Sequence, residues 1–387
     1  ADGGARAEKA MLSLRSTQSA TAAVLSFLLR LRTRAQAVFR LSEAHTMLLW
    51  AVATGLLGAF ATIAFRRCID LLQWAISGRA SGLVEMARAL PWTVRLWLPA
   101  AGGLIAGGIL MLSQRRASGP ANSDYMEAIA IGDGVVPVWQ SAWRSVSALF
   151  TIGFGGSIGR EGPMVQLAAL AGSIIGRLVH FDSQRLRLLV ACGAAAGITS
   201  AYNAPIAGAF FVTEIVLGSI AMESFGPVVV AAVVANITMR EFAGYKPPYE
   251  MPVFPPVAGV EVLLFVALGL LCGAAAPQFL RLLDGSKALF GKLPLPLPAR
   301  LALGGLVVGI LSVWTPEVWG NGYSVVNSIL HSPWTWTALV VVLVFKLVAT
   351  AATAGSGAVG GVFTPTLFVG AVFGSLFGQS MHALWPH

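Results

Sequence analysis

Apolar residues in this chain come in long blocks rather than in alternation. The stretches 46–65, 96–113, 145–159, 260–280, 301–316 and 334–345 are almost without charge. Half-buried strands show a period of two, whereas blocks of this length read as helices apolar on every side. Several approach the roughly 20 apolar residues that carry a helix across a bilayer. The shorter ones predict helices that are tilted or broken part-way. The fold class expected is therefore an all-α membrane protein of many spans. Glycine (43 residues) and proline (20) recur inside the blocks. In lipid, irregular backbone survives only where protein or a water-filled cavity covers it. Broken helices thus mark the place to look for a site, although close helix packing is the other use of such glycines.

Two segments align without gaps at a fixed offset, 357 − 155 = 202. Gly155, Gly159, Pro163, Gly172, Ser173 and Gly176 match Gly357, Gly361, Pro365, Gly374, Ser375 and Gly378. Glycine- and proline-interrupted segments that correspond between two halves of a membrane chain point to a binding site. Each copy sets glycines and a proline ahead of an apolar helical run. Proline is accepted in a first helical turn, where its missing N–H would be unbonded anyway. The free N–H groups and positive dipole end of such a helix attract an anion. Two such ends converging make an anion site without a full positive charge, so that the ion can leave as well as enter.

Composition supports the membrane assignment. The 387 residues are 56% hydrophobic and 11% charged, against about 25% charged in a soluble domain. The net charge of +9 does not suggest nucleic acid, because no basic run is interleaved with aromatics. Its arginines flank apolar blocks instead. Arg30, Arg32, Arg34 and Arg40 precede the first, Arg66 and Arg67 are expected to follow it, and Arg115 and Arg116 follow the second. By the positive-inside rule the N-terminus is cytoplasmic. The first apolar run, 20–31, leads into arginines, so residues 22–41 read as a helix lying in the membrane interface rather than as a signal peptide. Cys68, Cys192 and Cys272 are too far apart for a disulfide or metal framework. The histidines (His45, His180, His331, His382, His387) form no ligand cluster.

Among candidate chemical groups, Glu161 stands out. It sits in Gly159-Arg160-Glu161-Gly162-Pro163 between apolar sequences. An ionisable group within a span costs at least about 2.5 kcal/mol and is a functional candidate by default. A carboxylate at a helix N-terminus occupies the place an anion would take, and protonation cancels that attraction. One residue can thus serve as gate and proton carrier; a capping or Arg160-paired carboxylate is the structural alternative. Gly155-Gly156-Ser157-Ile158-Gly159 matches the G-x-S-x-G nucleophile pattern, which makes an intramembrane serine hydrolase a remote alternative, but the match is weak in a glycine-rich chain and no histidine sits at mid-span. Lys346 also lies within an apolar run, either adding positive potential to a permeation path or serving structure.

Gly159-Arg160-Glu161-Gly162-Pro163 and Gly360-Gly361-Val362-Phe363-Thr364-Pro365 resemble, in the right order, two signatures of the CLC family of chloride channels and proton-coupled anion exchangers, in its prokaryotic form. The stretches CGAAAGITSAYNAPIAGAFFVTE (192–214) and FKLVATAATAGSG (345–357) are also similar to that family's helices. The resemblance covers about residues 48–378. It implies a CLC-type inverted-repeat bundle of tilted and broken transmembrane helices, with a cytoplasmic segment at 1–45, one half at 46–245 and a second at 246–387. Because the chain begins at Ala1 and the second half stops short, it implies a fragment lacking the last helices, one of which carries a tyrosine lining the anion site. It further implies a homodimer without cofactor, each subunit passing chloride, or nitrate, against protons; the arginine-rich flanks, with no organelle-targeting signal, point to a bacterial inner membrane. Glu161 becomes the gating glutamate and proton acceptor. Gly159, Arg160, Gly162, Gly361, Val362 and Phe363 frame the anion, with the Val362 and Phe363 N–H groups at the central site. A third loop falls at Gly119, Pro120, Ala121, Asn122 and Ser123.

Two residues depart from the pattern. Pro120 stands where chloride-preferring relatives have serine, as in the nitrate-preferring plant exchangers, and Ser118 or Ser123 substitutes only if the loop is shifted. Ile215 stands where exchangers commonly carry an internal glutamate. Isoleucine cannot relay a proton, so coupling must run through Glu214, Glu223 or water, or be absent, as in a passive channel of the same fold.

Overall fold

The computed structural model describes residues 43–78, 82–116, 124–218, 222–244, 248–254, 259 and 261–384. The interfacial helix expected at 22–41 and the loop Gly119, Pro120, Ala121, Asn122 lie outside them. Fourteen α-helices and no strands occur among the described residues. They are α1 (Glu43–Ser77), α2 (Leu83–Ala89), α3 (Trp92–Arg116), α4 (Tyr125–Ala130), α5 (Val138–Gly153), α6 (Glu161–Leu178) and α7 (Ser183–Tyr202). There follow α8 (Pro205–Phe211), α9 (Met222–Ala243), α10 (Glu261–Gly291), α11 (Leu297–Trp314), α12 (Tyr323–His331), α13 (Trp336–Gly355) and α14 (Phe363–Leu384). A π turn, Val212–Val216, extends α8, and a 3₁₀ turn, Pro316–Val318, follows α11. Seven of these helices are long and apolar enough to cross a membrane.

One expectation needs correction and another is met. Arg66 and Arg67 do not follow the first span but lie within α1, which runs 35 residues. Leu71, Leu72, Trp74 and Ile76 continue its apolar pattern, so the helix outlasts the uncharged block. The short block 145–159 is broken part-way, as its length predicts. It breaks after Gly153, and Gly155 takes φ +94°, a left-handed conformation that a side chain would resist.

The offset of 202 seen from residue 155 onward reaches further back in three dimensions. Gly102, Gly103 and Gly107 on α3 correspond to Gly304, Gly305 and Gly309 on α11, and the two helices cross there. A Cβ on Gly103 would lie 2.6 Å from the Leu301 carbonyl carbon, and one on Gly305 would lie 2.5 Å from that of Pro99. Backbone therefore meets backbone, the contact that small residues permit. Gly155 and Gly357, the equivalent breaks after α5 and α13, both have positive φ, +94° and +100°. Beyond them the chain enters α6 and α14.

Candidate functional site

The two interrupted helices begin face to face. Gly159 and Gly361, equivalent positions of the repeat, form an antiparallel bridge. The Gly159 N–H donates to Gly361 O at 2.7 Å, and the Gly361 N–H donates to Gly159 O at 2.9 Å. Mutual bonding of equivalent residues places a local two-fold relation between them. The same bonds fix the start of α6 relative to the start of α14. Pro163 and Pro365 each occupy the third position of their helix. The N–H groups ahead of them belong to the first turn and have no partner within the helix.

Glu161 is 4% exposed at the head of α6. Its Oε1 accepts hydrogen bonds from the Tyr323 hydroxyl at 2.7 Å and the Asn321 amide at 3.1 Å. Its Oε2 has no partner among the described residues. That oxygen faces the paired glycines, since a Cβ on Gly159 would collide with it. The carboxylate thus lies at the two converging helix ends, one oxygen held by side chains and the other turned toward the backbone junction. Arg160 occupies the position before α6 without a capping side-chain bond, its guanidinium carbon 5.7 Å from the Tyr323 ring centroid. A cavity of about 170 Å³ opens onto Arg160, Asn321 and Tyr323, with Asp70 and Glu85 also in its wall.

A line of hydroxyls ends at the carboxylate. Tyr202 OH lies 3.0 Å from Thr364 Oγ1, which lies 3.5 Å from Tyr323 OH. Tyr202 also meets the Phe363 ring edge to face, 5.5 Å between centroids. Burial, and after it the charge of Glu161, pushes the Tyr323 and Tyr249 phenols above their ordinary value. Tyr323 therefore stays a donor to Glu161, whereas the Tyr249 hydroxyl has no partner among the described residues.

The structure brings together Gly159, Arg160, Glu161, Gly162, Gly361, Val362 and Phe363. Glu214 stands apart from this group, exposed on the π turn, with Ile215 beside it 54% exposed. Glu223 lies in the first turn of α9. Ser157 is wholly buried; its hydroxyl lies 3.1 Å from Thr350 Oγ1 and its N–H donates to Thr353 Oγ1. It serves as packing between a loop and α13, which removes the nucleophile reading. Lys346 is also fully buried and donates to Val318 O at 3.0 Å and Gly320 O at 2.7 Å. Asn321 and Tyr323 escaped the sequence reading. The signal available was Gly320-Asn321-Gly322, a glycine-flanked turn between two apolar blocks.

Comparison with known proteins agrees with the fold. A family model described as voltage gated chloride channel matches residues 102–387. The ClcB-like chloride channel protein of Ralstonia nicotianae is 56% identical over 344 residues, 88% of this chain and 80% of that one. The voltage-gated ClC-type chloride channel ClcB of Escherichia coli is 42% identical over 347 residues, 88% of this chain and 82% of the relative. The fold matches the crystal structure of a slow cyanobacterial Cl⁻/H⁺ antiporter with a TM-score of 0.77 at 24% identity, covering 89% of this chain and 81% of that one. A CLC-type fluoride/proton antiporter matches with a TM-score of 0.71, also at 24% identity, over 89% and 83%. By family model, sequence relatives and fold together, this chain belongs to the voltage-gated chloride channel (CLC) family.

Proposed function

We propose that the protein exchanges small anions for protons across a membrane, with Glu161 as both gate and proton acceptor. The observation that carries this reading is a carboxylate 4% exposed at the head of α6, in front of the Gly159–Gly361 junction. Ionised, it fills the positive space between two helix ends and excludes the anion. Protonated, it loses that attraction and yields its place. Gly159, Arg160, Gly162, Gly361, Val362 and Phe363, with the loop Gly119–Asn122, frame the anion, which is chloride or, given Pro120, nitrate. The names of the relatives, chloride channels and anion/proton antiporters, support the same substrate class. The inner proton route runs through water with Glu214 or Glu223 as its polar stations. On this reading the subunits form a homodimer in a bacterial inner membrane, the N-terminus is cytoplasmic, and 46–245 and 246–387 are inverted halves. An anion and a proton moving oppositely carry charge in one sense, so the membrane potential drives each cycle by about 2.3 kcal/mol per charge per 100 mV.

A passive channel of the same fold is the second reading, and Ile215 favours it, because it offers no proton relay. Reconstitution of the full-length protein in liposomes decides. A chloride or nitrate gradient is imposed, voltage is clamped with valinomycin and potassium, and proton movement is followed with a pH electrode. Uphill proton movement is expected, and it should vanish in Glu161→Gln while anions still pass. Anion flux with no proton movement in the unmodified protein makes it a channel.

A further inference from the structure

Asn321 and Tyr323 belong to a segment held in place with unusual thoroughness. Trp319, 0% exposed, lies on Gly155, where a Cβ would come 2.5 Å from its ring. The Gly320 N–H donates to Gly156 O at 3.1 Å. Gly322 lies against the Phe368 ring. At the near end, Glu317 pairs with Arg88 at 2.8 Å. From beneath, Lys346 bonds the carbonyls of Val318 and Gly320. No carboxylate lies within ion-pair distance of Lys346 among the described residues. Two carbonyls and the face of Phe368, 5.2 Å to its centroid, are what meet its charge. A buried lysine is costly unless its donors are used, and here they are used on the backbone that carries Asn321 and Tyr323.

We infer that the segment 319–323 is a latch for Glu161: Tyr323 and Asn321 hold the carboxylate shut over the anion site, and Lys346 positions them through the segment's backbone. The inference rests on Glu161 being the gate and proton acceptor. Both bonds to Oε1 are charge-assisted while the carboxylate is ionised and weaken when it is protonated. The Tyr323 hydroxyl then has a second acceptor in Thr364 Oγ1, 3.5 Å away, so releasing the gate strands no donor. The latch therefore sets how readily a proton opens the gate. Other titratable groups facing this region are Arg160 at the N-terminal end of α6, Tyr202 at the end of α7, Tyr249, and, across the cavity, Asp70 on α1 and Glu85 on α2. None of these bonds the Glu161 carboxylate in the way that Tyr323 and Asn321 do.

The test is the pH dependence of anion efflux from liposomes containing the full-length protein. Flux is expected to rise as pH falls. Removing a donor to an ionised oxygen favours the protonated form, so Tyr323→Phe should move the half-maximal pH upward by about one unit. Tyr323→Phe with Asn321→Ala should move it further. Lys346→Met should shift it in the same direction, and by much less once both donors are already gone. In a Glu161→Gln background, which should be flat with pH, Tyr323→Phe should change nothing. A Tyr323→Phe profile that superimposes on the unmodified one, while Glu161→Gln is flat, overturns the latch and leaves the gate reading intact. Persistence of the pH dependence in Glu161→Gln overturns the gate reading itself. If Lys346→Met shifts the profile equally with and without the two donors, its role as a positioning residue fails. Should that variant not assemble, the Tyr323 and Asn321 variants still decide whether the latch exists.

Discussion

A glutamate buried among helices is an expense unless its charge is used, and Glu161 uses its two oxygens differently. Oε1 takes two side-chain donors, and Oε2 points at Gly159 and Gly361. Gly159 is what makes room for it. A Cβ there would collide with Oε2 and sit 2.8 Å from Gly361 O. Gly159→Ala is therefore expected to expel the carboxylate from its closed position, so that anion flux at neutral pH rises toward the Glu161→Gln level and loses most of its pH dependence. Flux measured at pH 5 and pH 7.5 checks it; an unchanged ratio between the two would mean the alanine is accommodated. Glu161 was legible in the sequence because a charge within an apolar block has no cheap structural explanation. Its donors were not, because they lie 160 and 162 residues away in a stretch where a tyrosine reads as an ordinary interfacial anchor. Lys346 was visible as an anomaly, but its partners are carbonyls, which carry no signature in a sequence.

At the scale of elements, the crossing helices α3 and α11 lie against the two breaks, Gly102 against Phe154 and Gly304 against Ser356. Gly103 and Gly305 sit where backbones touch, whereas Gly108, on the same helix as Gly103, has open space around it. Gly103→Ala should destabilise the folded protein by about 1–3 kcal/mol, the usual cost of overpacking. Gly108→Ala should be neutral or slightly stabilising, since alanine is the better helix former. Unfolding in detergent mixtures compares the two, and equal effects would count against the crossing as a structural constraint. The spans were predictable from block length, and the entry of α6 and α14 from glycine and proline placement. The earlier part of the repeat was hidden, because Gly102, Gly103 and Gly107 resemble the many glycines that only ease packing. The two copies also differ in surroundings. Gly172 and Gly176 press against α7, while their equivalents Gly374 and Gly378 have nothing within 4 Å. Identical spacing in the sequence therefore says nothing about what covers each copy.

For the whole molecule, membrane character and family were legible throughout, since both depend on composition and motif rather than on distant contacts. The joining of the two helix ends was not, because bonds between backbone groups are written in no side chain. That joint has a mechanical consequence. Transporters of repeated architecture usually admit substrate by rocking one body against another. Here such motion would have to pull apart buried Gly159 and half-buried Gly361, leaving the N–H and carbonyl of Gly159 unmet at about 1–3 kcal/mol each. The movement that spares the joint is the turning of one side chain, which belongs to the fast end of protein motion, far from the microseconds to milliseconds of domain displacement. Turnover should then be paced by the arrival of ions and protons, and an Arrhenius plot of anion flux in the proton-saturated state should be shallow, with a slope near that of diffusion in water. A steep slope would mean that the two glycines part in every cycle, and that this rivet is a hinge.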